Sequence, residues 1–563
     1  MQEYKDVLKS NTVQEMRTIA NDNFNTIRST HAGEAFPTEN LVLGMKCFRT
    51  DKKKTYTLVS MNPDKWAVEA SGREDIVSAQ MFLALVGTEA LNRLTDWTGL
   101  LHNAISVEVF DFDELGTGSK VTNMSFLFSG CISLKSVLNF IIRKDHPVKD
   151  VQGMFSGCDR LAALDVSGFQ AENVENYTEM FSGCRSIKTL NVSDWKMGKA
   201  KSMKGMFLRC EGLESLDVSK WDVSSCTDFA EIFRECHKLR GVQFTSWDTS
   251  KATAMGGMFQ SCGTSPVLSD EGQKYGTAML RYFAALNLDL SMFDLSNVET
   301  TAKMFAYAKA RLTIGEKMRK TVKCRNMSGM FLHFFTDVEP VIAGEEYKPP
   351  VMDTDYTSPN YGSPIKYADC KKSIFTVFDY SSVENMSGMF EGTYAVNCIL
   401  DKNYTRDKKE PANGLIFHVS TPKVTNVSRL FASAHGAQFM DISMNIEKIT
   451  DMQWMFDGAN PESIRLRNFD TQKMTVGWGG AIPIDGMFKD CRNMRYLIID
   501  DTTFKFKLLK DVLADLPTEC RFVVPRAMIA TYKEQEHWKN YGDRFIAMED
   551  CTLYGAYVNS APE

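Results

Sequence analysis

Thiols are the first residues whose spacing could support chemistry. Cys131, Cys158, Cys184, Cys210, Cys236, Cys262 and Cys491 each stand three residues after a phenylalanine, and they make up half of the 14 cysteines. A column of thiolates could ligate a metal or form disulfides between neighbouring coils. The sequence has no CxxC pair, and one thiol per coil does not assemble the four ligands of a tetrahedral site. The expectation is a column of buried free thiols acting as small apolar side chains, in keeping with a reducing assembly compartment.

Carboxylates and aromatic residues form other columns. Asp165, Asn191 and Asp217 could bind cations, but they read as a solvated outer strand face. Asp500 and Asp501 point to opposite faces if they lie in a strand. Trp195, Trp221 and Trp247 could stack a ligand; the preferred reading is that each covers the apolar core of its coil. Eight histidines, among them His237, His333 and His418, show no ligand spacing. Gly-x-Ser-x-Gly, a Walker loop and His-Glu-x-x-His are all missing. The chain is therefore expected not to be an enzyme, and to use no cofactor and no metal.

The element positioning these residues is a repeat. Phe155, Phe181, Phe207, Phe233 and Phe259 lie 26 residues apart. Phe128 precedes them, and Phe305, Phe331, Phe390, Phe431, Phe456 and Phe488 follow, giving twelve markers. Within one unit, Leu216-Asp217-Val218-Ser219 alternates apolar and polar residues, as a half-buried strand does. Met203, Met206 and Phe207 recur at i, i+3 and i+4, the spacing of one short helical turn. The expected fold class is an α/β solenoid: a leucine-rich-repeat-like, right-handed stack of short strand-turn-helix coils. No coil buries its apolar face alone, so stability comes from neighbour contacts.

Three intervals exceed the period by 15 residues or more: 46 residues from Phe259 to Phe305, 59 from Phe331 to Phe390 and 41 from Phe390 to Phe431. Insertions are accordingly placed near residues 264–290, 335–371 and 394–422. Such insertions map to loops on one face, often the binding face. The largest carries Tyr347, Tyr356, Tyr361 and Tyr367 among four prolines. Tyrosines on a stiffened loop give contact area at low entropic cost, whether to a receptor or to a neighbouring subunit.

Residues 1–70 carry no repeat. Val13, Met16, Ala20, Phe24 and Ile27 follow helical spacing. Residues 44–51 and 54–59 read as two strands joined by a polar turn, with Trp66 closing the segment. Residues 71–104 read as a helical linker and N-terminal cap, 105–500 as the solenoid, and 501–563 as its C-terminal cap.

Composition bounds the function. Hydrophobic residues make up 44% and charged residues 24%, as in ordinary soluble folded proteins. A net charge of -6 provides no global basic field, so no nucleic-acid partner is expected. The start shows no secretory signal, and no apolar run is long enough to insert in a membrane. A protein released into the cytoplasm of the producing cell is expected.

The runs Leu216 to Ser224 and Gly205 to Cys210, with Val524-Pro525, Tyr532, Trp538 and Tyr541 near the end, resemble the BspA-like leucine-rich repeats of bacterial surface proteins. That resemblance implies adhesion or ligand recognition without catalysis. The order Asn25-Thr26-Ile27-Arg28-Ser29, Phe36-Pro37, Gly44-Met45, Arg49-Thr50-Asp51, Tyr56 and Trp66 resembles small modules of tailed-bacteriophage fibre and virion proteins. It implies a structural virion protein, a tail fibre or fibre-like appendage. Its partners would be other virion proteins, reached through the N-terminal module, and a host cell-surface protein or glycan. Homo-oligomerisation, as a trimer by preference, follows from the same resemblance. The alternatives are a BspA-like adhesin on a bacterial surface and a fibre-borne glycan depolymerase.

Overall fold

Each coil is closed by tight corners, and the corners come from one local motif. In Asp217-Val218-Ser219 the carboxylate accepts the Ser219 amide at 3.0 Å. Asp222 does the same for Ser224 at 3.1 Å, and Asp228 for Ala230 at 2.9 Å. An Asx turn of this kind gives the backbone a local partner at a bend. The residue two before the first such turn begins a short strand, and the coil then returns one register away.

The computed structural model describes residues 46–49, 54–61, 64–68 and 88–551, apart from 171, 268–278, 283–285, 335–340, 343–376, 394–413, 435–436, 438, 460, 477–479 and 481. The chain forms two compact units, Met1–Ala200 and Lys201–Glu563.

The first unit holds β1 (Lys46–Arg49), β2 (Lys54–Met61) and β3 (Asp64–Val68), an antiparallel sheet. The expected two-strand hairpin is thus three strands, with Trp66 inside β3 opposite Leu58. Residues 13–27 lie outside the described residues. A single helical turn, α1 (Thr88–Leu91), leads into coils that include β4 (Val109–Asp111) and β5 (Ser136–Leu138), which pair in parallel. The stretch read as helix up to residue 103 is already a coil. The amides of Trp97, Gly99, Leu101 and Asn103 donate to carbonyls of the next coil at 2.7–2.9 Å, which an α-helix would keep for itself. Leu94 and Leu101 are buried there as solenoid core.

The second unit contains β6 (Ser215–Asp217), β7 (Gly241–Gln243), β8 (Thr264–Val267), β9 (Met279–Tyr282), β10 (Leu286–Leu290), β11 (Ala310–Ile314) and β12 (Val341–Ile342). The order β6-β7-β10-β11-β12 is one parallel sheet; β8 and β9 form a separate antiparallel hairpin. Next come β13 (Gly414–His418), β14 (Phe439–Ser443), β15 (Ser463–Arg467), β16 (Tyr496–Ile499), β17 (Arg521–Val524), a short helix α2 (Ile529–Glu534) and β18 (Phe545–Ala547). β13 to β18 form a second parallel sheet in sequence order. The solenoid register therefore continues past residue 500, into the segment read as a cap. In β10, Leu286, Leu288 and Leu290 face the core while Asn287 and Asp289 face outward.

The expected helix in each coil is absent. The Met-Phe segment is instead a ribbon of tight turns. Two residues four apart adopt left-handed φ, such as Gly205 (58°) with Arg209 (59°) and Glu231 (59°) with Glu235 (61°). A left-handed residue cannot propagate an α-helix. Alternate amides are thereby turned to the next coil: Met203, Gly205, Phe207 and Arg209 donate to Asp228, Ala230, Ile232 and Arg234 at 2.8–2.9 Å. The intervening Met206, Leu208 and Cys210 amides close local turns three residues back. Met203, Met206 and Phe207 are all buried, so the spacing marks the core face correctly but not the backbone conformation.

The marker phenylalanines stack face to face. In the first unit Phe128, Phe155 and Phe181 are 5.3 and 5.7 Å apart. In the second, an unbroken column runs from Phe207 to Phe488 at 5.5–6.1 Å per step.

One part of the outer sheet face is not solvated. Asp441 is 4% exposed and takes two hydrogen bonds from Arg467, at 2.7 and 2.8 Å. His418 Nε2 lies 3.1 Å from the same carboxylate. Arg465 and Arg467 both reach Asp500, at 2.7 and 3.3 Å. Asp501, next in sequence, is buried apart from this network, 3.6 Å from Lys505. Burial pushes the Asp441 carboxyl up, but hydrogen bonds from His418 and Arg467 outweigh it and hold it at about 2.

Two outcomes follow. Phe233→Ala removes an interior ring of a fully packed column and should cost about 3–5 kcal/mol, read as a lowered urea midpoint of the second unit. Because the folded pKa of Asp441 lies below its unfolded value, its stabilisation is present above about pH 4 and lost as pH falls toward 2. Asp441→Asn should therefore destabilise at pH 6, and its deficit relative to the native chain should shrink by about 1 kcal/mol at pH 3, measured by urea unfolding.

Candidate binding surface

The residues singled out in the sequence divide into a buried scaffold and an outer ribbon. Phe155, Phe181, Phe207, Phe233, Phe259, Phe305, Phe331 and Phe390 are all buried. Trp195, Trp221 and Trp247 are buried as well. Trp221 stacks on Trp247 at 6.3 Å, and Trp247 on Phe293 at 6.0 Å. The Trp247 indole N–H donates to the Val218 carbonyl at 3.1 Å. These rings fill the core, and no face of them is open to stack a ligand.

The thiol column has a defined task. Cys158, Cys184, Cys236, Cys262 and Cys491 each donate through Sγ to the carbonyl of the marker phenylalanine one coil back, at 3.0–3.2 Å. Cys131 donates likewise to Leu101, and Cys210 is buried in the same column. Thr393 takes this position after Phe390, and its hydroxyl donates to the Phe331 carbonyl at 2.7 Å. In the other coils Ala308, Phe334, Ala434 and Ala459 stand there, without a side-chain donor. Burial pushes the thiols of Cys158, Cys236 and Cys262 up, away from the reactive thiolate. The eleven cysteines whose side chains the structure describes are free, and no group of side chains suited to a metal ion occurs among the described residues.

The carboxylate column is equally structural. Asp165 accepts the Ser167 amide at 2.9 Å, as Asp217 does for Ser219. Hydrogen bonds from these serines lower both carboxyls.

The outer ribbon carries the polar chemistry. Near the larger insertions, Tyr307 stacks on His333 at 5.1 Å. His333 in turn lies over Gly392, where an added Cβ would stand 2.1 Å from its Nδ1. Arg429 bridges Glu391 at 2.6 Å and Asp457 at 3.8 Å. Burial, then the Glu391 charge, pushes the Tyr307 hydroxyl up.

The insertions leave the scaffold at the two corners that flank the strand. Cys262 and Thr393 each stand three residues after a marker, and the extra residues there begin directly after them and end at the strands that start at Leu286 and Gly414. The longest insertion lies on the other side of its strand: β12 still pairs in parallel with β11, and the extra residues fall between Ile342 and about 377. The first insertion includes the hairpin β8-β9, in which Thr264 lies opposite Tyr282, bringing its ends together. Across the three interruptions the phenylalanine column holds at 5.7, 6.1 and 5.6 Å. The marker spacing locates the insertions but not the corner each one leaves from. Tyr347, Tyr356, Tyr361 and Tyr367 lie outside the described residues. No helix among the described residues is long and apolar enough to cross a membrane.

No curated protein matches the chain. Two solved structures are similar to it. One is a leucine-rich repeat protein from Bacteroides ovatus ATCC 8483, 13% identical, with 72% of this chain and 66% of that one covered and a TM-score of 0.26. This chain thus spans just under two thirds of that protein. The other is a leucine-rich cell surface protein from Faecalibacterium prausnitzii A2-165, 12% identical, with 79% and 81% covered and a TM-score of 0.24. A family model described as "Mycoplasma protein of unknown function, DUF285" matches residues 103–215, 149–270, 214–338, 366–476 and 402–500. With more than half of its length matched by overlapping copies of that model, the chain belongs to the DUF285 family.

Proposed function

We propose that the chain is a non-catalytic binding protein whose solenoid presents three inserted segments from neighbouring coils as a contact surface. The continuity of the scaffold beneath the insertions carries this reading: the phenylalanine column holds at 5.7, 6.1 and 5.6 Å across them. Their anchors, at Cys262, Ile342 and Thr393, fall within four successive coils. At about 4.8 Å per coil they span roughly 15 Å along the stack. The core beneath is undisturbed, so the segments are free to differ in sequence without loss of fold. The tyrosines at 347, 356, 361 and 367 supply rigid contact area in the longest of them.

The finer reading is a structural virion protein, a tail fibre or fibre-like appendage, binding a host-surface protein or glycan. It rests on the resemblance of residues 1–70, the segment that would also hold copies together as a trimer. Several copies then raise avidity through effective concentration. The second reading, a bacterial surface adhesin, rests on the repeat resemblance alone.

Replacing residues 343–376 by a five-residue Gly/Ser link should leave the thermal unfolding midpoint within about 4 °C of the native chain. It should lower binding to intact host cells at least tenfold in a sedimentation assay. Undiminished binding by this variant overturns the reading. Detection of the chain in purified virions, or on the surface of the producing cell, separates the two finer readings.

A further inference from the structure

A cleft of about 310 Å³ opens on the outer ribbon of the second unit, lined by ribbon residues of four successive coils. Its floor is formed by Ala230, Gly256 and Ala302, three successive occupants of the position three residues before the marker. Elsewhere in this unit that position holds Lys204, Ser328, Ser387, Ser428, Gln453 and Asp485. The run of smallest side chains sinks the surface over three coils, roughly 10 Å along the stack.

The floor has a second peculiarity. The amide at this position is normally capped by the side chain two residues earlier. Ala230 donates to Asp228, Ser328 to Asn326, Ser387 to Asn385 and Ser428 to Asn426, all at 2.9–3.0 Å. Ala302 uses Thr300 at 3.3 Å. Before Gly256 the capping residue is Ala254, whose side chain has no acceptor, and the Gly256 amide has no partner among the described residues. A backbone donor left open in the centre of a cleft is suited to an oxyanion.

The surroundings fit an anion. Lys204 and Lys303 border the cleft and are exposed, with no ion pair among the described residues. Arg234 adds a guanidinium, held by Glu231 at 2.6 Å and Glu235 at 3.2 Å. Gln260 and Glu231 supply a mixed set of donors and acceptors, the set that pairs with hydroxyl groups. An extended peptide is usually held by strand addition to free backbone groups. Here the flanking ribbon amides are consumed by neighbouring coils and local turns.

We infer that this cleft is a binding site for a carboxylate-bearing saccharide. The carboxylate would take the Gly256 amide and the two lysines, and the ring hydroxyls would take Gln260 and Glu231. The site does not depend on the inserted segments, and so is a second contact beyond the surface proposed above.

The test is isothermal titration of the full chain with glucuronate- and galacturonate-containing disaccharides, the matching neutral disaccharides, and a tetraglutamate peptide. One of the two acidic disaccharides should bind with a dissociation constant of about 1 mM or tighter, and its neutral partner at least tenfold more weakly. Ala254→Asn restores the cap used by Ser328 and Ser387. It should raise the unfolding midpoint by roughly 1–4 °C yet weaken the acidic disaccharide at least fivefold. Lys204→Gln with Lys303→Gln should weaken it tenfold at an unchanged midpoint. The variant lacking residues 343–376 should bind it as the native chain does. The assignment is overturned if neither acidic disaccharide binds, if neutral and acidic forms bind alike, if the peptide binds more tightly, or if Ala254→Asn binds undiminished.

Discussion

The structure depends on how the backbone amides of the ribbon are shared. At Gly205 and Arg209, and again at Glu231 and Glu235, left-handed residues turn alternate N–H groups out of the local turn and toward the next coil. Each costs about 1–2 kcal/mol where the residue is not glycine. Each inter-coil hydrogen bond returns about 0.5–1.5 kcal/mol, and the alignment it imposes stacks the marker phenylalanines at 5.5–6.1 Å. The ribbon and the aromatic column therefore stand together. A helix in the same place would satisfy its own amides and leave neighbouring coils joined by side chains alone.

This division explains why the repeat tolerates long interruptions. Within a coil, the ribbon ends three residues after the marker, in most coils at a cysteine or Thr393, and these bind the preceding marker carbonyl. What fixes one coil on the next is made in the ribbon or along the parallel strand. Between them lie two corners, one before and one after the strand, and extra chain is added at either: at the first after Cys262 and Thr393, at the second after β12. An insertion within the ribbon or the strand would separate inter-coil bonds that must keep register.

Much of this was legible in the residues, and what was not has a physical cause. The 26-residue marker spacing and the alternation in Leu216 to Ser219 located the core and the strands. The spacing of Met203, Met206 and Phe207 located a buried face but suggested a helix, because tight turns and a helical turn place i, i+3 and i+4 on one side alike. Glycines at 205 and 257 hint at left-handed backbone, yet Glu231 and Lys303 hold the same conformation with no signature in their type. Asp217 and Asp165 read as solvated polar residues, although each closes a turn. The network of His418, Asp441, Arg465, Arg467 and Asp500 depends on the register of β13 to β16, which pairs residues from four separate coils. No local pattern encodes it. Of the candidate contact residues, the four loop tyrosines were identified by type alone, and the described residues reach only their anchors.

A repeat makes departures from itself informative. When most coils satisfy one amide in one way, a coil that omits the cap has either accepted an unmet donor or left it for something else. Ala254 is such a departure, and it coincides with the smallest side chains in the neighbouring column, Ala230, Gly256 and Ala302. Neither change aids stability: one gives up a hydrogen bond and the other exposes backbone. Local choices that conflict with the scaffold's own pattern are expected where a surface serves a ligand and not the fold. The two lysines beside that amide give the departure a sign, and the sign is positive.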